Sequence, residues 1–320
     1  MKKSFLKLNN ILLWVLCSIL VTACTEFLEP SIEKDNVTLL APGDKIVSPN
    51  YTQTFKWEPV EHALKYRLQI VTPDFDAIEE YVLDTLISDT KYTISLAPGN
   101  YEWRVRGENG STQTSYVKRT LNIAYSSIKQ QSVRLLAPSN GFQTNQKDLS
   151  FKWEQLYGAT KYRFQVDSNN FADESKIMYE VVIPSNEQTF TFLKERAFQW
   201  RVRAENDTAQ SKWSTIYGVI FDKTPPAIPV LQSPADNQSV SLPAILQWNA
   251  VAGAEKYKLY VYKADSTTLY SSSFPTVTST TSFSFNLGTV GEKIYWKVAA
   301  IDKAGNESAL SKFRKFIVSQ

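Results

Sequence analysis

Few side chains of this chain could do chemistry in concert. The single histidine, His62, lies in Pro59-Val60-Glu61-His62-Ala63, between two strand-like stretches. A Ser/His/Asp relay would have to use it, and no Gly-x-Ser-x-Gly elbow is present to offer the serine. Carboxylates are plentiful. Asp74, Asp76, Glu79 and Glu80 crowd one short stretch, and paired acids are what glycoside hydrolysis needs. Asp302, Asn306 and Glu307 bring oxygen donors of the kind calcium takes, at a spacing unlike that of a calcium loop. One His and two Cys exclude a multi-histidine or Cys-rich zinc site and a disulfide scaffold. No Gly-rich phosphate cradle occurs. The expectation is therefore no catalytic residue, no metal and no cofactor.

Cys24 is different, because its neighbours prescribe a reaction. Lys2, Lys3 and Lys7 precede an apolar run from Ile11 to Val21, too short to span a bilayer comfortably and shaped like a secretory signal. The run ends in Leu20-Val21-Thr22-Ala23-Cys24, which resembles the bacterial lipobox. Small residues at 22 and 23 let a peptidase hold the backbone extended, and the thiol takes a diacylglycerol before cleavage. Several acyl chains on one terminus give stable anchoring where a single chain is marginal. Residues 1–23 are thus expected to be a signal peptide that carries Cys17 away, and 24–36 an acidic tether. Thr25 is not Asp, so the usual inner-membrane retention signal is missing, and the acidic stretch resembles that of surface-exported lipoproteins of Bacteroidota-type bacteria. The expected location is the outer membrane, lipid-anchored and surface-exposed. The three signal lysines account for the whole net charge of +3, so the rest of the chain is neutral and nothing global draws it to nucleic acid.

The remaining chain repeats. Leu-x-x-Pro opens each copy at Leu39/Pro42, Leu135/Pro138 and Leu231/Pro234. A Trp follows at 57, 153 and 248, then Ala63, Ala159 and Ala254, then Tyr66, Tyr162 and Tyr257, and a second Trp at 103, 200 and 296. Between these landmarks apolar and polar residues alternate, as in Phe55-Lys56-Trp57 and Tyr162-Arg163-Phe164-Gln165-Val166, which is the period of strands. No stretch keeps a helical period for long. The six repeated tryptophans have inward parity and read as core.

These residues resemble the fibronectin type III module: a Pro before the first core strand, Trp on the second, Tyr on the third, and Tyr101-x-Trp103-x-Val105 or Phe198-x-Trp200-x-Val202-x-Ala204 on the sixth. The resemblance implies an all-β chain of three tandem immunoglobulin-like β-sandwiches of seven strands, over 37–126, 131–222 and 227–318. Linkers fall at 125–132 and 222–229, the second stiffened by Pro225, Pro226 and Pro229. It also implies a binding or spacer role. The expected function is a non-enzymatic, lipid-anchored envelope protein, held to the membrane through Cys24 and meeting a protein or a glycan. Glycan binding within a polysaccharide-uptake system is the alternative, and a carboxylate-dependent glycoside hydrolase the remote one. For glycans the candidate stacking rings are Trp213 and Tyr116, each thirteen residues after a core Trp. The competing role for Trp213 is a ring lying against Arg201 or Arg203. Further aromatics outside the repeat are Phe75, Tyr81, Phe171, Tyr179 and Tyr270.

Overall fold

A computed structural model describes residues 29–320. The signal peptide, the lipobox and Cys24 lie outside the described residues. The chain forms two compact units, one ending at Ser127 and one running from Ile128 to Gln320. The first holds module 1, and the second holds modules 2 and 3.

Module 1 contains β1 (Leu39–Ala41), β2 (Ile46–Ser48), β3 (Thr52–Trp57), β4 (Lys65–Thr72), β5 (Glu80–Ile87), β6 (Lys91–Ser95), β7 (Gly99–Glu108) and β8 (Val117–Ile123). Module 2 contains β9 (Leu135–Ala137), β10 (Phe142–Thr144), β11 (Asp148–Trp153), β12 (Lys161–Asp167), β13 (Tyr179–Ile183), β14 (Glu187–Thr191), β15 (Arg196–Glu205) and β16 (Tyr217–Phe221). Module 3 contains β17 (Leu231–Ser233), β18 (Gln238–Val240), β19 (Ala244–Trp248), β20 (Ala254–Tyr262), β21 (Thr276–Thr278), β22 (Ser282–Phe285), β23 (Lys293–Asp302) and β24 (Arg314–Val318). Each module is a sandwich of two sheets. In module 1 the orders are β1-β3-β6 and β2-β8-β7-β4-β5, and modules 2 and 3 repeat them. The all-β architecture and the threefold repeat of two-sheet sandwiches are as expected.

Eight strands stand where seven are expected, because the first strand breaks in two. At Ala41-Pro42, Ala137-Pro138 and Ser233-Pro234, all cis, the chain leaves the small sheet and joins the large one. Proline has no N–H to continue a ladder. Past it, β2, β10 and β18 each run parallel to the last strand of their module, pairing Ile46 with Leu121, Phe142 with Val219 and Gln238 with Phe316. Arg119 spans the first break, its guanidinium donating to the carbonyls of Pro42 (2.9 Å) and Leu39 (2.6 Å).

The inward residues meet between the sheets. All six repeated tryptophans are at most 2% exposed. Burying rings of that size contributes several kcal/mol each, about 25 cal/mol per Å² of apolar surface. Trp103 meets Phe55 edge-on at 4.9 Å, and Trp200 meets Phe151 the same way at 5.0 Å. The repeated Tyr has a second task. Its hydroxyl accepts the N–H of Val60, Leu156 or Val251 (2.8–2.9 Å) and so fixes the loop before its own strand.

The modules start earlier than their composition suggests. Ile32, inside the expected tether, is fully buried, and its N–H donates to Thr112 Oγ1 at 3.0 Å. Asn109 Nδ2 donates to the Pro30 carbonyl at 2.9 Å, and the Glu29 carboxylate accepts from the Gly110 N–H. The second unit likewise begins inside the expected linker, with a 3₁₀ turn at Ile128–Gln130 and a buried Ile128. Ser31-Ile32 and Val37 recur 96 residues later as Ser127-Ile128 and Val133, a repeat masked by the acidic and polar residues between them.

Candidate functional site

The outer face of each five-stranded sheet carries an organised set of polar and aromatic side chains. On alternate residues of β4 and β7 the outward side chains are Arg67, Gln69, Arg104 and Arg106. Arg67 grips Asp84 with two bonds, Nε to Oδ1 at 2.7 Å and Nη2 to Oδ2 at 2.8 Å. That guanidinium, helped by Gln69 and opposed by partial burial, holds the Asp84 carboxyl below the usual carboxylate range. Gln69 links the pair onward, accepting from Arg104 Nε at 2.8 Å. Arg104 in turn lies over the rings of Phe75 (3.9 Å to the centroid) and Tyr116 (4.2 Å), and Arg106 lies over Tyr116 at 4.7 Å.

Module 2 repeats the array. Arg201 Nε donates to Gln165 Oε1 (2.8 Å), and its guanidinium lies over Phe171 (4.2 Å) and Trp213 (4.0 Å). Arg203 lies over Trp213 at 4.7 Å. Glu205, buried beneath, accepts from Arg163 Nε (2.7 Å) and Arg203 Nε (2.9 Å). Burial pushes its carboxyl up, but the two guanidiniums outweigh burial and leave it below its ordinary range. Module 3 uses a lysine: Lys297 Nζ stands 4.5 Å from the Phe313 ring and 5.1 Å from that of Tyr262.

Both candidate stacking rings thus lie within these arrays. Trp213 and Tyr116 each have two guanidiniums against the ring and are only partly exposed. Phe75 and Phe171 are bound into the same arrays, Tyr270 packs edge-on against Phe285 at 5.2 Å, and Tyr81 is exposed. Sequence reasoning passed over Gln69 and Gln165, which join the cations to the acids, and the hydroxyls that hold the aromatic segment down. Ala204 N–H donates to Ser211 Oγ (2.9 Å) and Val202 N–H to Ser214 Oγ (3.0 Å). Ala300 and Val298 do the same toward Ser308 and Ser311. The Ser-x-x-Ser spacing in modules 2 and 3 was the available signal.

Several of the candidate chemical groups bond within their own loops and sheets, while Asp76, Glu79 and Glu80 are exposed. Asp74 Oδ1 accepts from the N–H groups of Asp76 and Ala77, closing a turn, and Asp76 is exposed. Glu307 pairs with Lys258 Nζ at 3.0 Å. Asp302 accepts from both the backbone and the side chain of Asn306. His62 sits at φ 64°, where the second and third copies have Gly158 and Gly253 at φ 80° and 79°. Among the described residues no cluster of three or more His, Cys, Asp or Glu could hold a metal ion.

Within the second unit, modules 2 and 3 are joined by specific bonds. Asn306 Nδ2 donates to the carbonyl of Asp222 at 3.0 Å, and the Asn145 N–H donates to the carbonyl of Ala304 at 3.1 Å. Asn306 is itself buried.

Among solved structures, the chain is similar to chicken CNTN1 FN1-FN3 domains at 15% identity and a TM-score of 0.43, over 89% of this chain and 98% of that one. It is also similar to the Clostridium thermocellum CbhA fibronectin(III)-like modules at 14% identity and a TM-score of 0.38, over 59% of this chain and 94% of that one. No family model and no curated protein matches.

Proposed function

We propose that this chain of fibronectin type III-like modules is a non-enzymatic, lipid-anchored protein of the bacterial outer membrane, displayed outward, and that its sandwiches act as a spacer or a protein-binding surface. The observation that carries the spacer reading is the bonded joint between modules 2 and 3. A buried Asn306 reaching the Asp222 carbonyl fixes one module on the next, where a flexible linker would leave them independent. The anchoring reading rests on the order of basic residues, apolar run and Cys24 in the sequence. The outer faces of modules 1 and 2 suit binding without chemistry, because the guanidiniums of Arg67, Arg106, Arg163 and Arg203 are held by carboxylates of the same sheet. Anchoring is tested by growing a bacterial host with radiolabelled palmitate. Label should enter the wild-type chain and be absent from Cys24→Ala. Equal labelling of both would remove the anchor from the proposal.

A further inference from the structure

Module 2 has an open cleft of about 600 Å³ along the seam where the edge strands β13 and β14 of its two sheets face each other. Its walls include Tyr179, Phe190 and Phe198, and Met178, Leu193 and Arg196 stand at its lip. The volume is that of small-molecule sites, which run to several hundred Å³. Leu193, at 83% exposed, is an apolar side chain left in water there.

Module 3 uses the same seam differently. By strand register Phe285 corresponds to Phe190, Phe283 to Gln188 and Glu292 to Arg196. In module 3 the Tyr270 ring packs edge-on against Phe285 at 5.2 Å, and its hydroxyl donates to Glu292 Oε2 at 3.1 Å. Phe274 packs edge-on against Phe283 at 5.9 Å. In module 2 the Tyr179 ring likewise packs edge-on against Phe190 at 5.2 Å, but its hydroxyl accepts from Gln188 Nε2. The cleft opens beside that aromatic pair, and a cation stands where module 3 has the carboxylate that receives the hydroxyl. Lys194 adds a second cation to the lip, and Arg196 reaches Ser168 Oγ at 3.0 Å.

We infer that this cleft binds a small molecule made of a flat apolar ring system and an anionic group, the ring against Phe190 and Phe198 and the anion at Arg196 and Lys194. A flat apolar ring suits a cleft walled by Tyr179, Phe190 and Phe198, where aromatic groups meet edge-to-face. The anion supplies the acceptor that a guanidinium requires, whereas a phenol suits a carboxylate. Such binding is independent of lipid anchoring.

The probe is 8-anilinonaphthalene-1-sulfonate with the purified protein, followed by its fluorescence. One site per chain is expected. Arg196→Glu, at an exposed position, should weaken binding at least tenfold, and Thr189→Trp, which fills the cleft, should abolish it. 2-Naphthoate should displace the dye at least tenfold better than uncharged 2-naphthalenemethanol. Absence of binding, equal affinity in Arg196→Glu, or equal displacement by the neutral alcohol would each overturn the assignment.

Discussion

At the scale of single residues, the repeat records where the backbone allows no choice. The loop before β4, β12 and β20 turns back on itself, with Ala63, Ala159 and Ala254 donating to Val60, Leu156 and Val251. The turn needs one left-handed residue, which is Gly in two copies and His62 in the first. A left-handed L-residue costs about 1–2 kcal/mol, and space is no obstacle, since a Cβ at Gly158 meets nothing within 4 Å. Gly158→Ala should therefore lower stability by about 1 kcal/mol through conformation alone. His62→Gly should raise it by a fraction of that, because the added glycine makes the unfolded chain more flexible. Chemical denaturation of both variants checks the pair, and effects of equal sign would refute the account. The lone histidine stands at the left-handed position of that turn.

At the scale of elements, the sheets show which features were legible in the sequence. The inward tryptophans, the period-two strands and the stacking of Arg201 and Arg203 on Trp213 all follow from alternation along one strand, which a sequence displays directly. The Gln69 and Gln165 bridges, the Ser211 and Ser214 hydroxyls and the burial of Ile32 depend on what a distant segment places opposite. Each of those residues looks like ordinary surface when read alone. Glu205 is the test of the face. Its carboxyl lies below the ordinary value in the folded state, so its bonds to Arg163 and Arg203 stabilise at pH values above the ordinary glutamate range of about 4.3, and that stabilisation is lost as pH falls through the lower folded value. Glu205→Gln should cost about 1.5–3 kcal/mol at pH 7, the usual range for hydrogen bonds to a charged group. The gap from wild type should narrow as the pH is taken below 4. A gap independent of pH would show that packing alone is lost.

At the scale of the whole molecule, the described chain is three copies of one sandwich, differentiated at a few points. The seam of module 2 carries a cation, Arg196, where module 3 has Glu292, and the outer cation is arginine in two copies and lysine in the third. The joint at Asn306 makes modules 2 and 3 one unit. In Asn306→Ala the side-chain bonds to Asp222 and Asp302 disappear, and the two modules should tumble with separate correlation times in ¹⁵N relaxation. A single shared value in the variant would show that the joint is held elsewhere. The broken first strand has a mechanical consequence. In every module a three-residue strand from the N-terminal side lies parallel to the last strand. Tension applied between the two ends of a module draws such a pair in opposite directions along their common axis. Their cross-links then bear the pull together, in shear, where a hairpin would peel one bond at a time. How long a module survives under a steady pull depends on its unfolding rate, and the short strand made by each proline break is the latch that a pull must first shear.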